Sequence, residues 1–331
     1  MNSSGNSSTP QIRWGIIGNA LFEGLLSISG EGYREVYCDP DVDVAYIGTI
    51  HTFHEENCLD AIAAGKNVVC EKPFTINSKE AREVIEAAKA RNVFLMEAMW
   101  TRFTPLVHSL RKKLFEEKVI GDIQRTFCDF GLDMNISSLG PESRLKNPNL
   151  GAGCLLDIRI YSLTWGLLTL DPKLGDQRET PIVVSIQSLS DRVDHSTSIL
   201  LKYYPSGRHG ILTATTLAKS GREFCRIEGS QGHVIVEGRV ASAPESFTVS
   251  PKNTTSSAVG DAKAERAQND HQRYTFEKLG RGFYWEADAV AIDIAAGRTQ
   301  SQVMPLSETL KTHEIMDEVR RQGGVQYPQD Q

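Results

Sequence analysis

Cysteine pairs are missing from this chain. Its six cysteines, Cys38, Cys58, Cys70, Cys128, Cys154 and Cys225, are scattered and share no Cys-x-x-Cys spacing. Neither a zinc centre nor a disulfide framework is therefore expected, and no metal is assigned. Several of them stand in apolar runs and read as small core residues. Unpaired thiols point to a reducing, cytoplasmic setting. No apolar run approaches the roughly 18 residues that a membrane helix needs. Residues 1–10 have neither the basic start nor the apolar middle of a signal peptide, so 1–11 read as a disordered tail. A basic surplus is also lacking: 36 Lys and Arg face 42 Asp and Glu, for a net charge of −6. That argues against a nucleic-acid partner, which asks for a basic face. The one compact basic run, Arg111-Lys112-Lys113, is answered by Glu116-Glu117 and reads as a solvated helix face. Around Ser78, Ser143 and Ser162 there is no Gly-x-Ser-x-Gly elbow, so hydrolase chemistry is not expected.

What is present suits two soluble domains: 331 residues, 40% hydrophobic and 24% charged. Order begins at Ile12-Arg13-Trp14-Gly15-Ile16-Ile17-Gly18, a short apolar run ending in glycine, as buried parallel strands do. Further apolar runs follow at 42–49, 67–70 and 93–96. Between them 55–64 is helical and ends before Gly65, and Asn77 with Glu80 has the spacing of a capping box. Ala81, Val84, Ile85 and Ala88 give the helix it opens a single apolar face. Strands alternating with helices predict an α/β, doubly wound domain over 12–120. A helix with Pro105 at its first position closes it before Gly121. From 121 to 331 the pattern changes to an α+β domain with a large open, mostly antiparallel sheet. Strand-like runs lie at 182–189, 196–204, 210–217, 224–228 and 233–237, with helices near 153–170, 284–296 and 306–321. The polar stretch 251–273 reads as a mobile loop.

Three features carry chemistry. After the first strand comes Gly18-Asn19-Ala20-Leu21-Phe22-Glu23-Gly24, where a dinucleotide fingerprint belongs. Gly18 suits the tight turn, while Ala20 and Glu23 depart from the pattern. Next, Glu71-Lys72-Pro73 follows a strand end, which sets Lys72 at the carboxyl edge of the sheet where ligands bind in such folds. Finally, Asp157 and Tyr161 stand four apart, on one helix face. His51 and His54 have no carboxylate cluster near them in sequence and read as pocket or capping residues rather than metal ligands.

With these motifs the chain resembles the Gfo/Idh/MocA oxidoreductases, and within them the branch of dimeric dihydrodiol dehydrogenases and NADP-dependent D-xylose dehydrogenases. The resemblance rests on Trp14-Gly15-Ile16-Ile17-Gly18, Asp39-Pro40-Asp41-Val42-Asp43-Val44, Glu71-Lys72-Pro73-Phe74, Phe94-Leu95-Met96-Glu97-Ala98-Met99-Trp100-Thr101-Arg102-Phe103, Ser143-Arg144-Leu145, the Asp157 to Tyr161 helix, and Gly282-Phe283-Tyr284-Trp285-Glu286-Ala287. It implies NADP, or NAD, as cofactor, hydride transfer to or from a sugar or trans-dihydrodiol, and a homodimer built on the second domain's sheet. A xylose-like sugar would yield a lactone. It further implies Lys72 and Tyr161 as an acid/base pair, oriented by Asp157. Trp100, Phe103 and Arg144 would then line the substrate pocket. Gly18, Asn19, Ala20, Thr49, His51, His54, Glu71, Lys72 and Arg102 would hold the cofactor. A free phenol titrates near 10, and a neighbouring ammonium is expected to bring it down towards a useful range.

The resemblance has a gap. Gly32-Tyr33-Arg34-Glu35-Val36 already matches the helix before the next strand, so only 19–31 remain for a helix, a strand, a second helix and a third strand. At about 1.5 Å per helical residue and 3.3 Å per strand residue, that segment is too short. The first domain is therefore expected to be truncated, with its first strand left at a sheet edge. The competing expectation is a non-catalytic sugar-binding or regulatory protein, or a mis-spliced gene product, that has lost the dinucleotide.

Overall fold

The computed structural model describes residues 12–18, 32–252 and 271–331. The expectations for the 1–11 tail, for Asn19, Ala20 and Glu23, and for most of the polar loop fall outside the described residues.

The first unit is a parallel sheet of strands β1 (Trp14–Ile17), β2 (Val44–Ile47), β3 (Asn67–Glu71) and β4 (Leu95–Ala98), in the order β1-β2-β3-β4. Every residue of β2 and β4 is buried, as strands covered on both faces must be. Helices α1 (Tyr33–Cys38), α2 (His54–Ala63) and α3 (Ser78–Arg91) connect them. The Asn77 side chain accepts the Glu80 backbone N–H at 2.9 Å, capping α3, and Asn92 in the left-handed region ends it. Glu80 returns a bond, at 3.0 Å, to the Ile76 N–H rather than to the cap residue itself. Among the described residues β1 lies at the edge of the sheet.

Thr104 and Pro105 open α4 (Pro105–Arg111), whose last turn widens to a π turn over Lys112–Glu116. The second sheet has eight strands: β5 (Ile123–Gly131), β6 (Ile182–Ser190), β7 (Val193–Lys202), β8 (His209–Thr215), β9 (Glu223–Gly229), β10 (Gly232–Val240), β11 (Ala243–Pro251) and β12 (Gln272–Thr275). Their order is β12-β11-β10-β9-β5-β8-β7-β6, and all pairs are antiparallel except β5 with β8. Helix α5 (Ile160–Leu170), buried along its whole length and preceded by a π turn at Leu155–Arg159, packs on β5 and β8. Helices α6 (Tyr284–Ala295) and α7 (Leu306–Gly323) close the chain, and α7 bridges the units by packing on α3 and β6.

Three strands were not anticipated: β5, β11 and β12. β5 carries Gln124, Arg125 and Thr126 near its start, so its apolar alternation is broken. β12 shortens the expected 251–273 loop from its far end, pairing with β11 between Ser246–Thr275 and Val249–Gln272.

Candidate active site

Strand β3 delivers Lys72 to the carboxyl edge of the parallel sheet, and the π turn ahead of α5 delivers Asp157 from the other unit. The Lys72 Nζ donates to the Asp157 backbone carbonyl at 2.7 Å and lies 3.7 Å from its carboxylate Oδ1. The same nitrogen sits 5.1 Å from the centroid of the Tyr161 ring. A π turn inserts one residue into the helical repeat; Asp157 stands within it and Tyr161 in the helix that follows. Arg144 approaches the same Asp157 oxygen at 3.6 Å. Burial pushes the Asp157 carboxyl up, but Lys72 and Arg144 outweigh it and hold it below its ordinary value.

Tyr161 is 6% exposed. Its oxygen accepts the Trp100 indole N–H at 2.9 Å, and its ring meets Trp100 and Phe130 edge-on at 6.5 and 5.7 Å. Here the structure corrects the expected sign. Burial raises the Tyr161 phenol well above 10, and Glu71, Asp157 and Glu286 add to the rise, while the Trp100 donor opposes it. The Lys72 nitrogen faces the ring and is paired with Asp157, whereas the phenol oxygen's donor is Trp100. At neutral pH Tyr161 is a protonated phenol, suited to giving a proton to a carbonyl oxygen.

His51 donates from Nε2 to the Gly151 carbonyl at 2.8 Å and is kept neutral by burial. His54 lies between the carbonyls of Pro73 and Thr49 at 2.9 and 3.0 Å, and burial lowers it to about 4. The neutral ring therefore donates to one of the two carbonyls at a time. The pair fastens the loops after β2 and β3 to each other and to the second unit. Glu71 accepts the Tyr46 hydroxyl at 2.6 Å and the Lys72 backbone N–H at 3.1 Å, bracing the turn that presents Lys72.

Arg102 requires correction. It is 1% exposed, and its guanidinium donates to the equally buried Glu308 at 2.6 Å and to the Val303 carbonyl at 3.2 Å. It is committed to the interior and has no face for a dinucleotide. Phe103 is 4% exposed, within the large core that joins both units. Phe130 and Phe283, which meet Tyr161 and Trp100, were not singled out as site residues. Phe130 had no signal because β5 was unread, whereas Phe283 stood inside a quoted motif.

The fit to a nicotinamide dinucleotide can be tested on these residues. Gly18 has φ +92°, and a Cβ there would lie 2.7 Å from the backbone of Gly48 and Thr49, so the turn after β1 tolerates only glycine. Beyond β2, the hydroxyls of Thr49 and Thr52 are buried without hydrogen-bond partners among the described residues. The glycine turn after β1 and the orphaned hydroxyls beyond β2 fit the nicotinamide end of such a cofactor. No described strand lies beyond β1 to hold its adenosine end.

A parallel sheet with Lys72 at its carboxyl edge is thus joined to an open sheet whose helical segment supplies Asp157 and Tyr161, a two-unit α/β and α+β architecture. Residues 17–99 match the oxidoreductase family, NAD-binding Rossmann fold, of the Gfo/Idh/MocA proteins, and 109–235 match a Gfo/Idh/MocA C-terminal domain. The chain is 34% identical over 316 residues to D-xylose 1-dehydrogenase (NADP+) of Hypocrea jecorina, covering 90% of this chain and 77% of that one. It is 33% identical to trans-1,2-dihydrobenzene-1,2-diol dehydrogenase of Oryctolagus cuniculus, covering 90% and 84%. A 3-ketoreductase from Actinomadura kijaniata, solved with NADP, shares the fold with a TM-score of 0.73 at 20% identity, covering 94% and 98%. The chain belongs to the Gfo/Idh/MocA oxidoreductase family.

Proposed function

We propose that the protein is an NADP-preferring dehydrogenase acting on the CH–OH group of a sugar or vicinal diol, with a xylose-like pyranose or a trans-dihydrodiol as the substrate class. The observation that carries the reading is the convergence of Lys72, Asp157 and Tyr161 from the two units, walled by Trp100 and Phe130. When bound, a nicotinamide supplies or accepts the hydride. The chain's own residues handle the proton and the fit. In the reducing direction Tyr161 gives its Oη proton to the substrate oxygen and the Trp100 N–H steadies the phenolate left behind; in the oxidising direction that phenolate takes the hydroxyl proton back. Lys72, fixed by the Asp157 carbonyl, places a positive charge where an alkoxide would develop. Arg144, half-exposed beside Asp157, reaches hydroxyls at the mouth. Support for the substrate class comes from the two similar dehydrogenases named above.

Replacing Tyr161 by Phe tests the assignment. Reduction of NADP+ with sugar or diol substrates falls below detection, while NADPH fluorescence titration shows unaltered cofactor affinity. Unchanged turnover would refute the role of Tyr161. Absence of saturable NADPH binding in the parent chain would refute the dehydrogenase reading.

A homodimer through the second sheet completes the proposal. β6 turns Ile182, Val184 and Ile186 outward at 53, 52 and 75% exposure, and Leu200 of β7, opposite Val184 in register, is 49% exposed. Such a stripe on an open sheet marks an interaction surface.

A further inference from the structure

Asp194, near the start of β7, is fully buried, although the strand's own alternation would turn it outward. Thr197, Ile199 and Leu201 face the interior, and Ser198 and Leu200 face out. Continued backwards, that period of two puts Asp194 on the outer face. It does not stand there because His195 is an extra residue: Ser188 of β6 pairs with Ser196, and the next residue, Leu189, pairs with Asp194. A bulge of this kind re-aims the side chain beside it. The His195 carbonyl accepts the Thr216 backbone N–H at 2.9 Å, which fastens the bulge to the end of β8.

The re-aimed carboxyl meets the start of the helical segment that carries Asp157 and Tyr161. The π turn over Leu155–Arg159 has no side-chain cap from its own N-cap residue, Cys154, and N–H groups at such a start lack partners inside the helix. The Asp194 Oδ2 accepts the Leu155 N–H at 2.9 Å, and the Thr197 hydroxyl donates to the same oxygen. The Asp194 Oδ1 lies so close to Gly153 that a Cβ there has no room. The Gly153 carbonyl in turn accepts the Asp157 N–H at 3.3 Å. The residues on both sides of Cys154 are thus fixed from β7, just ahead of the Asp157 carbonyl that Lys72 grips.

We propose that Asp194 is a positioning residue for the reaction, holding from β7 the turn that places Asp157 against Lys72. The proposal rests on the dehydrogenase reading. Asp194 acts through Leu155 and Gly153 and handles no proton of the substrate.

Steady-state kinetics with NADP+, using D-xylose and trans-1,2-dihydrobenzene-1,2-diol as substrates, test it. Asp194→Ala removes the acceptor for Leu155 and lowers kcat by about tenfold or more, towards the roughly 10²-fold cost of a misplacement of about 1 Å. Asp194→Asn keeps a side-chain oxygen of the same reach and restores kcat to within about threefold of the parent, as an asparagine cap should. NADPH affinity, read by fluorescence titration, stays at the parent value in both. Should Asp194→Ala misfold, Thr197→Val takes its place: it removes the hydroxyl that steadies Oδ2 and lowers kcat in the same sense. Parental kcat in folded Asp194→Ala, or in Thr197→Val where the alanine variant misfolds, would overturn the proposal. Equal loss in Asp194→Asn and Asp194→Ala, or a loss confined to NADPH affinity, would overturn it as well. A parent chain without turnover fails the dehydrogenase reading itself, whereas an active parent matched by its variants fails this proposal alone.

Discussion

Replacing Glu308 by Ala is expected to be among the most damaging single changes in the protein. Its carboxylate holds Arg102 at 2.6 Å and Arg178 at 2.8 Å, and accepts the Gly175 N–H at 2.8 Å. Both ion pairs have side chains only 1% exposed. Removing the anion strands two guanidinium groups in the interior, for which about 3–5 kcal/mol is the expected loss. With a urea slope of about 3 kcal/mol/M, the unfolding midpoint falls by about 1–1.7 M. The loss has a defined pH window. Burial pushes the Glu308 carboxyl up, but the two arginines outweigh it and leave it below its ordinary 4.5. Its contribution is therefore complete above 4.5 and disappears as pH falls through the lower folded value. Urea denaturation followed by far-UV circular dichroism between pH 3 and 8 measures both effects. Arg102→Met separates structure from cofactor binding: it lowers the urea midpoint and leaves NADPH affinity in the folded protein unchanged. An unaltered midpoint with weakened NADPH binding would refute the reasoning and return Arg102 to the cofactor.

Asn77→Ala removes the cap of α3 together with the side-chain bonds to Gln329 and Asp330 at 3.1 Å. It costs about 1–2 kcal/mol by urea melts, and a change within error would show that the cap is replaced by solvent. His54 is buried and titrates at about 4 in place of 6.5. Its neutral form stabilises the fold fully above 6.5, and about 3 kcal/mol is lost as pH falls through 4. His54→Asn flattens the acid limb of a plot of Tm against pH, and an identical limb would exclude His54 as its source. Ile186→Asp places a charge on the proposed dimer face, and sedimentation is expected to shift from dimer to monomer with the fold intact; a monomeric parent would remove that interface.

Local signals were legible wherever one segment settled its own structure. The Asn77–Glu80 spacing, the apolar face of α3, Pro105 at the start of α4 and the strand ahead of Lys72 each depend on a few neighbouring residues, and each is found in place. Long-range electrostatics was not legible. The phenol of Tyr161 was expected to fall because its lysine partner is visible in the motif. The carboxyls that help to raise it come from β3, the π turn and α6, and only the fold brings them together. Arg102 failed for the same reason: nothing beside it in sequence announces Glu308, 206 residues away. β5 escaped because Gln124, Arg125 and Thr126 break its alternation, although its later residues Cys128 and Phe130 are buried.

The edge position of β1 bears on how cofactor binding and chemistry can part company. β1 has the residues of a central strand, with Ile17 fully buried and Gly15 so close to Val36 that a Cβ would meet it at 2.4 Å. Yet among the described residues it pairs on one side only, with β2. An outer row of unpaired peptide groups is a liability in a parallel sheet, and it lies where an adenosine-holding half would join. The residues proposed for the chemistry hang from other elements: Lys72 from the end of β3, Trp100 from the turn after β4, Asp157 from the π turn and Tyr161 from the helix packed on β5 and β8. Their mutual distances are set by contacts that do not pass through β1. A weakness on the β1 side therefore appears in cofactor affinity, while the spacing of ammonium, carboxylate and phenol survives it.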